Sequence, residues 1–200
     1  MIAEPISIAR PVWTVEDLDF FDDDARRELD DGVIFQMPSP TLNHQDLVGR
    51  LYLLLMQWIA QNGGKAFLSP VDLVLSPTRV FIPDLVFYGA AKMASGLVER
   101  DPKRLRVPPD LVVEIISPST GSRDRVLKYR RYAAFGVRYY WIVDPIERTF
   151  QAFELRGKRF REEAVLADDE EFAPVLFSNL KLSMSELFGP RPAPNRAQEE

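Results

Sequence analysis

Glu114 stands alone in Leu111-Val112-Val113-Glu114-Ile115-Ile116, an otherwise unbroken apolar run. An ionised carboxylate left unpaired in a low-dielectric interior is costly, so such a group takes a partner, usually a cation. Asp84 interrupts a second β-rich run, Val80-Phe81-Ile82-Pro83-Asp84-Leu85-Val86-Phe87-Tyr88. Two lone carboxylates in two buried strands match the two sides of one metal site. Hard cations accept carboxylates together with backbone carbonyls and water, so Asp84, Glu114 and the Ile115 carbonyl form a candidate shell. For either acid alone, a nearby arginine is an equally good partner.

The elements that must position these groups follow from the pattern around them. Pro83 removes a ladder hydrogen bond, so pairing beside Asp84 is distorted or at an edge, where a side chain can turn toward a ligand. Side chains alternate along a strand, which puts Val112, Glu114 and Ile116 on one face. Lys128 follows on a helix that opens at Ser122 or Asp124 and ends at Gly136. On it Asp124 and Lys128 share a face with Arg131 and Phe135, while Val126 and Ala133 face the other way. The pattern does not say which stripe meets the sheet, and Lys128 alone reads as an ordinary surface lysine.

Composition narrows the chemistry. The chain has 200 residues, 46% hydrophobic, enough for one domain with a substantial core. It has no cysteine, which excludes disulfides, thiolate metal sites and cysteine nucleophiles, and one histidine, which excludes a multi-histidine zinc site within one chain. Any metal is therefore held mostly by oxygen, which points to magnesium or manganese. The longest apolar stretch, 51–60, is broken by Gln57 and is about half the ~20 residues of a spanning helix, so no membrane is expected. The N-terminus has no hydrophobic signal core, so the expected location is the cytoplasm. A net charge of −5 argues against a generic nucleic-acid coat protein but leaves room for an enzyme with a local basic surface. Arg123, Arg125, Lys128, Arg130 and Arg131 cluster against Asp124, and a second basic run spans 156–161. Both also read as a solvated helix face and a hairpin turn.

Along the chain, 1–12 reads as an arm, 13–188 as the folded domain and 189–200 as a disordered tail. Thr14 caps a short helix at 15–21, and Asp31-Gly32 signals a two-residue hairpin. An amphipathic helix covers 44–61, capped by Thr41 or Asn43, with apolar residues at 47, 48, 51, 54, 55, 58 and 59. Strands are expected at 65–75, 80–88, 111–117, 138–143, 149–155 and 158–165, with a charged loop and short helix at 89–108. The order predicts a mixed α/β sheet flanked by helices.

Several segments together resemble one family. They are Pro83-Asp84, the run from Pro109 to Thr120 around Glu114, Asp124 through Lys128 to Tyr132, Gly136-Val137, and Tyr140 to Pro145. Glu28-Leu29-Asp30-Asp31-Gly32 and Ser39-Pro40 followed by His44 also match. The pattern is similar to that of the Uma family of restriction endonuclease-like proteins, a branch of the PD-(D/E)XK nuclease superfamily, over about residues 14–188.

The resemblance implies an α/β (α+β) fold with a restriction-endonuclease-like core, a mixed central sheet with helices on both faces. It implies Asp84 as the aspartate of the "PD" element and Glu114 as the acid of "(D/E)XK". Two residues after Glu114 stands Ile116 where the superfamily has lysine, and Lys128 on the following helix fits as its replacement. Glu28 would be the additional acid. The implied activity is magnesium- or manganese-dependent hydrolysis of DNA phosphodiester bonds, with catalytic Glu28, Asp84, Glu114 and Lys128. Cation ligands would be Asp84, Glu114 and Ile115. His44, Arg123, Arg125 and Arg131 would contact substrate, and a homodimer is compatible. The alternative is an inactive nuclease-fold module that binds nucleic acid or a protein. For His44 the competing reading is a local hydrogen bond at the helix start.

Overall fold

The computed structural model describes residues 12–21, 25–116 and 123–190, with the backbone alone at 123–125. The expected arm and tail lie, apart from Val12, Gly189 and Pro190, outside the described residues.

The sequence Asp31-Gly32 closes a tight hairpin between β1 (Arg27–Asp30) and β2 (Val33–Gln36). Both turn residues have positive φ, 50° and 75°, as a turn of that type demands. Helix α1 (Leu42–Asn62) follows, its first turn capped by Thr41, whose hydroxyl accepts the His44 amide. Leu47, Val48, Leu51, Leu55 and Ile59 form its buried stripe, as the periodicity predicts. No helix among the described residues is long and apolar enough to cross a membrane.

The runs expected as single strands at 65–75 and 80–88 each divide in two, giving β3 (Lys65–Leu68), β4 (Asp72–Ser76), β5 (Arg79–Phe81) and β6 (Leu85–Tyr88). The halves join different sheets. The breaks fall at Pro70 and Pro83, residues that cannot donate to a ladder. After a short helix, α2 (Ala90–Ala94), come β7 (Arg104–Leu105) and β8 (Leu111–Ile115). A turn of π-helix (Arg123–Lys128) runs into α3 (Tyr129–Phe135), which Gly136 ends in the left-handed conformation. Then follow β9 (Tyr139–Asp144), β10 (Thr149–Arg156) and β11 (Arg159–Ala167). The chain closes with β12 (Glu171–Phe172), β13 (Leu182–Ser183) and α4 (Met184–Phe188).

The architecture is mixed α/β. A six-stranded sheet has the order β11-β10-β9-β8-β6-β3, and a five-stranded sheet has the order β2-β1-β5-β4-β7. Strands β8 and β9 pair in parallel, which requires the crossover that carries α3. Alternation splits the six-stranded sheet between two cores. Leu111, Val113 and Ile115 pack with α1, while Val112 and Ile116 pack with Tyr132 of α3 and with Phe81 of the second sheet. Glu114 shares the face of Val112 and Ile116 and so points toward the side occupied by α3.

Candidate active site

The chain crosses from one sheet to the other through Ile82-Pro83-Asp84, between β5 and β6. Pairing lapses there, and side chains take over the backbone donors that the ladder leaves. Asp84 Oδ2 accepts the amide of Ile115 at 2.8 Å, and Glu28 Oε1 accepts the amide of Ile82 at 3.0 Å. Each carboxylate is therefore oriented by a buried N–H at the end of a strand. Asp84 Oδ1 also pairs with His44 Nε2 at 3.0 Å, which ties the start of α1 to the crossing.

Lys128 is buried, with 2% of its surface exposed, and its ammonium lies 2.9 Å from Glu28 Oε1 and 2.9 Å from Glu114 Oε1. Neither expected stripe alone meets the sheets: Lys128 is buried and Val126 exposed, but Ala133, expected on the Val126 side, is buried together with Tyr132. Tyr132 donates its hydroxyl to the same Glu114 Oε1 at 2.6 Å. Burial, then the charges of Glu114 and Glu28, push the Tyr132 phenol well above its ordinary value, so the group stays a proton donor.

Asp84, Glu114, Ile115, Lys128 and His44 line one cavity of about 460 Å³. Glu28 is fully buried behind the cavity lining and holds Lys128, which lines it. Among the described residues no three His, Asp or Glu side chains form a group able to hold a metal ion. Two lining carboxylates nevertheless suit magnesium, which is held through one or two carboxylates plus water and substrate phosphate. Charge points the same way. Among the described residues, Glu28, Asp84 and Glu114 outnumber the fixed cations at the site, Lys128 and the lining Arg26.

The sequence-derived set thus largely converges, and Arg131 stands away from the cavity. Arg131 is held by Asp30 and Asp31 beside Arg79, with its Nε 3.1 Å from Asp30 Oδ1. The side chains of Arg123 and Arg125 lie outside the described residues. The backbone at 123–128 is wound as π-helix rather than the expected α-helix, and the Asp124 side chain, expected on the Lys128 face, lies outside the described residues. Tyr132 received no role from the sequence. Its position four residues after Lys128, on the helix following the acid strand, is the signal that marks it.

The family model described as "Putative restriction endonuclease" (Uma2) matches residues 14–185. The chain belongs to the Uma2 family. Among solved structures, this Uma2-family chain is similar to one titled as a "putative nuclease belonging to DUF820" from Anabaena variabilis ATCC 29413. The two are 21% identical with a TM-score of 0.70, and the match covers 88% of this chain and 97% of the other. At that identity the likeness is one of fold. No curated protein matches this chain.

Proposed function

We propose that this Uma2-family chain is a divalent-metal-dependent nuclease that hydrolyses phosphodiester bonds in DNA, magnesium or manganese being its cation. The observation that carries the reading is the buried Glu28–Lys128–Glu114 bridge beside Asp84 at one cavity. A lysine between carboxylates at the crossing of two sheets has an ion-pairing role that packing alone does not require, since apolar residues fill such space at similar or lower cost.

In this reading Asp84, Glu114 and the Ile115 carbonyl hold the cation, which when bound supplies Lewis-acid activation of water and offsets charge on the phosphorane-like transition state. The chain's own residues provide the rest. The Ile115 amide and His44 fix the orientation of Asp84. Tyr132 fixes Glu114. Lys128, on the cavity wall, orients the attacking water and stabilises negative charge on the phosphate, and Glu28 holds its ammonium in place from behind. His44, also on the wall, is within reach of the phosphate or of the cation's water shell.

The test is cleavage of plasmid and oligonucleotide DNA with magnesium or manganese, repeated with Glu114→Ala. Metal-dependent cleavage lost in the variant supports the proposal. Cleavage that survives Glu114→Ala sinks it.

A further inference from the structure

We infer that the substrate enters this cavity as an unpaired strand, with its bases exposed, rather than as an intact duplex. The inference rests on the nuclease reading for its chemistry and on separate observations for the form of the DNA.

The first observation is depth. Glu114, Asp84 and Lys128 are 3%, 5% and 2% exposed, at the floor of a cavity whose volume lies in the range of small-ligand pockets, about 300–1,000 Å³. Such a recess admits a nucleotide-sized group.

The second is the character of the walls. Met37, Pro38 and Pro40 from one segment and Pro145 and Ile146 from another line the cavity, and the Ile146 side chain is largely exposed. A duplex keeps its bases stacked inside and offers outer surfaces of phosphate, sugar and groove edge. Apolar walls have little to bind on it. An unpaired strand presents base faces, which apolar and planar surfaces bind without regard to sequence. Ser39, Thr41 and Asn43, lining residues beside Pro38 and Pro40 in the chain, offer hydrogen-bonding groups for base edges and sugar.

The third is charge. Duplex binding rests on many phosphate contacts. Among the described residues the lining carries two fixed cations, Arg26 and Lys128, and Lys128 is held between carboxylates. The exposed basic hairpin at 156–161 does not add to them. Its tip continues from Glu154, which pairs with Tyr139 at the start of β9, whereas Glu114 pairs with Ile142 toward the other end of that strand. The basic tip and the acid cluster therefore occupy opposite ends of the six-stranded sheet.

The experiment compares one 5′-labelled sequence as a single strand and as a blunt duplex, with manganese. Single-strand kcat/KM should exceed that of the duplex by about tenfold or more, the factor expected from one good base contact. An equal or faster rate on the duplex overturns this inference and leaves the hydrolase reading standing. Cleavage of neither overturns the hydrolase reading, and binding then decides the inference alone. Fluorescence anisotropy with Glu114→Gln should show tighter binding of the single strand, weakened severalfold by adding Ile146→Asp with the thermal transition kept. Equal affinity for both forms, or binding indifferent to Ile146→Asp, overturns it.

Discussion

Glu28 of β1 and Glu114 of β8 are joined through a single ammonium, that of Lys128, 2.9 Å from an oxygen of each. The two acids belong to different sheets, so the lysine couples the sheets to α3 at the point where the cavity opens. The sequence alone presents Asp84 and Glu114 as carboxylates awaiting a metal. In the fold Glu114 already has two donors, and this changes what substitution there should do.

Metal binding is the first expected outcome. Calorimetric titration with manganese should give a binding isotherm for the parent and none for Glu114→Ala. A variant that binds as tightly as the parent removes Glu114 from the ligand set.

Stability should respond asymmetrically around the bridge. Lys128→Met leaves two buried carboxylates without the ammonium between them and should cost about 3–5 kcal/mol in denaturant unfolding. Glu114→Gln keeps an acceptor for Tyr132 and leaves Lys128 with Glu28, so its cost should be smaller. Adding Glu114→Gln to Lys128→Met should recover part of the loss, and strict additivity would mean that the three groups are not coupled.

Cleavage should distinguish lysine from arginine at position 128. The wider, planar guanidinium does not fit a slot where one ammonium meets two carboxylate oxygens. Lys128→Arg should therefore lose most cleavage, by about 100-fold, while binding manganese as before. Full activity in Lys128→Arg removes the lysine's geometry from the mechanism.

Alkaline pH tests Tyr132. Its phenol is held well above the ordinary value of about 10, chiefly by burial. A group raised in the folded state contributes stability that is intact below its unfolded value and declines as pH rises beyond it. The parent should lose stability above pH ~10 more steeply than Tyr132→Phe. Below that pH the variant should be weaker by about 2 kcal/mol, the order of a hydrogen bond to a charged group. Parallel pH curves for the two proteins contradict the assignment.

Arg131 admits a direct choice between two roles. It stands on α3 shortly after Lys128 and pairs with Asp30, two residues from Glu28. If it positions the helix, Arg131→Met should lower kcat by about tenfold with KM unchanged, because small displacements of a catalytic group are costly. A raised KM with kcat intact would mark it instead as a substrate contact.

Much of this protein was readable from local pattern. The alternation around Glu114 fixed its face, Asp31-Gly32 required the hairpin, and the stripe from Leu47 to Ile59 defined α1, because periodicity and turn chemistry act over a few residues. Glu114 and Asp84 were conspicuous as charges in apolar runs. Other features were not local. The division of 65–75 and 80–88 between two sheets depends on which strands each half can pair with, and the prolines that permit it do not dictate it. The burial of Lys128 likewise follows from a π-turn and from Glu28, which arrives on another strand. An isolated lysine on a helix carries no sign of the carboxylates it will meet. Sequence determined which groups are chemically out of place. Tertiary structure alone decided that they meet, because ion pairing among buried charges depends on distance and orientation in space rather than on separation along the chain.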